Sequence, residues 1–73
     1  DDIYGSNQEA MKISKAIEQL PSEQAVLIKM TYYEDKSHSI IANELKMPLG
    51  TVKSRIRLAS TRLRKLLEGK IYD

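Results

Sequence analysis

The chain has no cysteine, so it has neither a disulfide framework nor a thiolate metal site. Its single histidine, His38, has no partner at ligand spacing, which argues against a zinc site. Neither His38 nor any serine has a supporting acid at a readable spacing, and no glycine-rich phosphate loop is present. Enzyme chemistry is therefore not expected, and no cofactor is implied. The longest apolar run is Ala25-Val26-Leu27-Ile28, far too short to span a bilayer, so no membrane partner is expected. No signal peptide is visible behind Asp1-Asp2, and there is no initiator methionine, so the chain is expected to be part of a longer one.

What is present is one small domain of 73 residues with an uneven charge. The net charge is +2. Residues 1–36 carry a net −3, residues 37–50 are neutral, and residues 51–70 carry a net +6. A basic C-terminal element of this kind suits a polyanion partner or a solvated face.

Residues 1–7 are polar and read as the end of a linker, residues 8–70 as the domain and 71–73 as a tail. From Gln8 to Leu20, the residues Ile13, Ala16, Ile17 and Leu20 repeat at helical spacing. Pro21 ends this helix and starts a second one running to about Glu34, with Val26, Leu27, Met30 and Tyr33 inward. Ser37 is the expected N-cap of a short third helix, His38 to Leu45, with Ile41, Ala42 and Leu45 inward. Met11, Met30 and Met47 read as core fillers, Tyr32 and Tyr33 as the core's edge, and His38 as a surface residue.

The stretch Met47-Pro48-Leu49-Gly50-Thr51-Val52-Lys53-Ser54-Arg55-Ile56-Arg57-Leu58-Ala59 begins with a breaker and then alternates basic and apolar residues, as a strand would. The alternation fails at Leu58-Ala59 and again at Leu66-Leu67. A helix fits better, because Val52, Ile56, Ala59, Leu63 and Leu66 recur at steps of four and three. Lys46 to Gly50 then form a tight connection, Gly50 supplies its conformational freedom, Thr51 is the expected N-cap, and Gly69 ends the helix. At about 100° per residue, the apolar stripe leaves Ser54, Arg57, Leu58, Thr61 and Lys65 on the far side. Lys53, Ser60 and Arg64 flank one edge, and Arg55 and Arg62 the other. Lys53, Ser54 and Arg57 thus face outward near the helix start, the end that a recognition helix inserts into a major groove. Helix, tight turn and helix with a basic outward face is the helix-turn-helix signature.

Residues 16–67, AIEQLPSEQAVLIKMTYYEDKSHSIIANELKMPLGTVKSRIRLASTRLRKLL, resemble region 4, the C-terminal region of bacterial sigma factors of the extracytoplasmic-function type. The Leu20-Pro21 start, Ile41-Ala42 and above all the run Gly50 to Arg55 carry the resemblance. It implies an all-α, four-helix domain with a C-terminal helix-turn-helix, winged-helix-like but without a wing. It also implies a cytoplasmic protein that binds double-stranded promoter DNA near −35, docks on the β-subunit flap of RNA polymerase core and can meet an anti-sigma factor. On this reading the DNA-contacting residues are Ser37, Thr51, Lys53, Ser54, Arg55, Arg57, Leu58, Thr61 and Arg62. Two positions depart from the family pattern. Ile40 stands where Glu is usual, which removes the capping-box partner of Ser37, and Leu58 stands where many members have Arg. Arg55 has a second reading, as the ion-pair partner of Glu44 or another acid on a neighbouring helix.

Two other functions fit the same elements. A sigma-like decoy would capture an anti-sigma factor without touching DNA, and it would have no need of Lys53, Ser54 and Arg57 outward. A response-regulator output domain typically has His at the position of Arg55.

Overall fold

The computed structural model describes the backbone of residues 2–69 and the side chains of residues 9–69. Four helices follow one another: α1 Asp2–Glu18, α2 Ser22–Tyr32, α3 His38–Leu45 and α4 Leu49–Glu68. α4 packs on all three others, whereas α1 and α3 do not touch among the described residues. The buried residues form two clusters along α4. Val52 and Ile56, in its first half, join Leu27, Met30, Ile41 and Ala42, with Met47 packed against them. Ala59, further along, joins Ile17, Leu20 and Ile28, with Ile13, Ala25, Leu63 and Leu66 alongside. The two halves of α4 thus rest on different partners: α2 and α3 first, then α1 and α2.

α1 begins at Asp2, not Gln8, so the polar stretch expected as a linker end is helical. It contains no proline, and its one glycine costs a helix only about 1 kcal/mol. Pro21 is the N-cap of α2 in extended backbone, φ −54°, ψ 148°. α2 ends at Tyr32, two residues before the expected Glu34. The bend that follows puts Asp35 in the left-handed region at φ 55°, which Asp tolerates.

On α2 the inward arc is rotated from the expected one. Leu27, Ile28 and Met30 are buried, while Val26 and Tyr33 are about half exposed. Taking Leu27 as zero, Ile28 and Met30 lie roughly 100° to one side and 60° to the other. α4 covers the Leu27–Met30 side, the second cluster covers Ile28, and Val26 and Tyr33 fall outside both. Tyr32 and Tyr33 stack edge to face at 5.2 Å and are both exposed. Met11, expected in the core, is also exposed, whereas Met30 is buried and Met47 packs on the first cluster.

α3 spans the expected residues. The Ser37 hydroxyl accepts the Ile40 N–H at 3.2 Å, so the serine half of a capping box survives without its acid. Ile41 and Ala42 are buried; Leu45 is partly exposed.

The turn into α4 differs from its expected chemistry. The left-handed residue is Lys46, φ 56°, and its N–H bonds back to Asn43 O while Met47 N–H bonds to Ala42 O at 2.9 Å. This pair of bonds, with Met47 packed on the cluster that holds Ala42, closes α3 as a Schellman motif. α4 then starts at Leu49 with Pro48 as N-cap, and Val52 N–H bonds to Pro48 O at 3.1 Å. Thr51 is therefore inside the first turn, not its cap, and Gly50 is helical with open space where a Cβ would sit. The connection shrinks to Lys46-Met47-Pro48. Gly69, φ 73°, ends α4 as expected.

Candidate nucleic-acid interface

The helical phase of α4 sets up the surface. Val52, Ile56 and Ala59 are buried on one side, at 0%, 8% and 0% exposure. Lys53, Ser54, Arg57, Arg62, Arg64 and Lys65 are all exposed. None of these five cations has an acidic partner among the described residues. The acids of the neighbouring corner are already engaged: Lys36 Nζ donates to Glu44 Oε1 at 2.7 Å and sits 2.9 Å from Glu34 Oε1. That lysine braces the bend between α2 and α3 against α3, and the hydrogen bond to Glu44, then that to Glu34, raises its pKa above the ordinary lysine value. The positive charge of α4 is thus left for a ligand.

The expected contact residues divide into three groups. Lys53, Ser54 and Arg57 are all exposed in the second and third turns of α4, Ser54 and Arg57 on the side away from Val52 and Ile56 and Lys53 at its edge. Ser37 and Thr51 stand at helix starts: Ser37 exposed at that of α3, Thr51 half-buried in the first turn of α4. The remaining four line clefts toward α2. Arg55 and Leu58 border a cleft of about 150 Å³ with Glu23, Gln24 and Leu27. Leu58, Thr61 and Arg62 border a second, of about 230 Å³, with Gln24 and Lys65. Arg55 Nη1 lies 3.8 Å from Glu23 Oε1, so its acidic neighbour is on α2 and Glu44 belongs to Lys36. Both partners of that pair are well exposed, and an exposed pair of this kind contributes little to stability.

Glu23 and Gln24 are the residues that sequence reasoning did not single out here. They read as an ordinary first turn of α2, and only the packing of α2 beside α4 brings them to Arg55 and Leu58. A third cleft, about 310 Å³, runs between Glu23, Val26, Leu27, Leu45, Met47 and Arg55. It accounts for the partial exposure of Val26 and Leu45. Among the described residues no cluster of His, Asp and Glu has the geometry to hold a metal ion, and no helix is long and apolar enough to cross a membrane.

Residues 10–63 match the model of the family described as sigma-70, region 4. The chain belongs to that family. The region 4 domain is also 46% identical over 63 residues to the ECF RNA polymerase sigma factor RpoE of Cereibacter sphaeroides, an alignment covering 86% of this chain. The same alignment covers 35% of that relative, so the chain spans about a third of its length. Family and relative together make this a region 4 domain of the ECF sigma-factor type, a helical domain with a helix-turn-helix. Within it, α3 and α4 are the helix-turn-helix pair, joined by the turn that Lys46 makes.

Proposed function

We propose that the region 4 domain binds the −35 promoter element as part of a longer, cytoplasmic sigma factor, with residues 8–70 as the DNA-binding unit. The observation that carries this reading is the group Lys53, Ser54 and Arg57, exposed and without acidic partners among the described residues, on a helix whose other side buries Val52, Ile56 and Ala59. A packed helix presenting two cations and a hydroxyl from its second and third turns suits the major groove, where Arg and Lys meet guanine acceptors. Ser37 at the start of α3 and Thr51 in the first turn of α4 suit phosphates, because helix starts attract anions. Arg55, Leu58, Thr61 and Arg62 sit at the α2 side of the recognition helix and contribute at the groove wall. The apolar cleft between Val26, Leu27, Leu45 and Met47 suits the flap of RNA polymerase core, and an anti-sigma factor would compete for it.

A sigma-like decoy fits the same fold but leaves the exposed Lys53, Ser54 and Arg57 without a use. The test is selection from a random duplex library by the full-length sigma factor reconstituted with core polymerase. A single short motif upstream of the start site is expected. A library recovered without any motif, from a protein that still binds an anti-sigma factor, would favour the decoy.

A further inference from the structure

Leu58 is the most exposed large apolar side chain among the described residues, at 62%, and it belongs to neither core cluster. A single exposed leucine is ordinary on a protein surface. What sets this one apart is its neighbours. At about 100° per residue, Arg57, Thr61, Ser54 and Leu58 follow one another around α4 within an arc of roughly 100°, on the side away from Val52 and Ile56. Leu58 stands one turn after Ser54 and next to Arg57, so a duplex held by those two residues meets Leu58 as well. It lies at the end of the arc nearer α2, where it borders the two clefts shared with Gln24, and Arg57 lies at the other end.

We propose that Leu58 selects thymine at one base pair of the promoter element by packing on its C5 methyl group. The inference rests on the reading of α4 as a recognition helix and names what one position of that helix reads. A leucine side chain has neither donor nor acceptor, so it gains no hydrogen bond from a phosphate or from a polar base edge. Among the groups that mark the bases in the major groove, the thymine methyl is the apolar one. Packed on guanine, Leu58 would strip water from O6 and N7 without replacing the lost hydrogen bonds. Packed on cytosine, it would face a bare C–H where thymine carries the methyl, and would lose that contact. The methyl is also the outermost group of its base edge, beside its own sugar–phosphate strand. A side chain placed toward the groove wall, as Leu58 is, meets it before any group at the centre of the groove. The two adjacent residues thus divide the reading, Arg57 by hydrogen bonds and Leu58 by apolar contact.

The experiment removes single methyl groups from the DNA. Full-length sigma factor reconstituted with core polymerase binds its selected promoter duplex, in which each thymine in turn is replaced by deoxyuridine. That change keeps every hydrogen-bonding group and deletes only the C5 methyl. One such replacement is expected to weaken binding about fourfold, the worth of one buried methyl group. Leu58→Ala should weaken binding to the thymine duplex by at least as much, and should no longer distinguish thymine from deoxyuridine at that position. Leu58 is exposed, so this variant keeps the fold. Leu58→Met, of similar volume, should keep the distinction. The inference is overturned if no deoxyuridine weakens binding of the parent, if Leu58→Ala stays as sensitive to deoxyuridine as the parent, or if Leu58→Met loses the distinction as alanine does. Arg57→Ala separates these failures from a failure of promoter recognition. If it still lowers binding, α4 reads the promoter and only the role of Leu58 falls. If Arg57→Ala and Leu58→Ala both leave promoter binding unchanged, both readings fall.

Discussion

Ile56 and Leu58 are two residues apart on α4 and stand on different sides of it: Ile56 is 8% exposed inside the first core cluster, and Leu58 is 62% exposed. That contrast fixes the rotation of the recognition helix. Ile56→Ala leaves a cavity among Leu27, Met30, Ile41 and Val52 and should cost about 2–5 kcal/mol of stability. Leu58→Ala should cost less than about 0.5 kcal/mol. Urea melts of both variants check the pair. Equal losses would mean that α4 is rotated and that Lys53, Ser54 and Arg57 do not share the outward side.

Arg57→Ala should remove about 1–3 kcal/mol of specific binding, the discrimination given by one good contact to a base pair, and relax preference at one position. Binding of the holoenzyme to a promoter library reads both. An unchanged preference would take Arg57 off the reading surface.

Affinity for duplex DNA should fall with salt by a log–log slope of about −0.9 for each phosphate neutralised. Lys53→Ala should make that slope shallower by roughly one unit while leaving sequence preference nearly intact. A salt titration with no slope would argue for protein capture instead of DNA binding.

Lys46 holds a left-handed conformation, φ 56°, that an L side chain adopts at a cost of about 1–2 kcal/mol. Lys46→Gly should therefore raise stability, but by no more than about 1 kcal/mol, because glycine's greater freedom in the unfolded chain offsets part of the relieved strain. A thermal melt decides it. A loss of stability would show that the lysine side chain holds the turn.

Lys36 is bonded to Glu44 and Glu34, which raises its pKa above 10.5. The native state therefore holds that proton more tightly than the unfolded chain. The contribution is fully present below the unfolded value of 10.5 and is lost as pH rises through the higher folded value. Lys36→Met should be less stable than the parent at neutral pH, and the gap should close in strong alkali. Urea melts across the alkaline range show it, and a gap that stays constant would mean the brace is not electrostatic.

Local patterns determined much of this domain. Val52, Ile56, Ala59 and Leu63 carry a helical period through a strand-like alternation, because burial of one stripe outweighs neighbouring charge. Ser37 and Gly69 announce helix ends through side-chain or backbone chemistry that acts within a few residues, and the structure uses both. The Leu20-Pro21 start, Ile41-Ala42 and above all the run from Gly50 to Arg55 carried the resemblance to the family. Tertiary packing decided the rest. Whether Val26 or Ile28 faces inward depends on where α1 and α4 lie across α2, and a helical repeat by itself allows either. Lys46, not Gly50, takes the left-handed turn because the position just past α3 must close its last carbonyls before Pro48 starts the next helix. The meeting of Gln24 with Leu58 joins residues 34 positions apart in the chain. No periodicity spans that distance; only the docking of α2 against α4 creates the cleft they border.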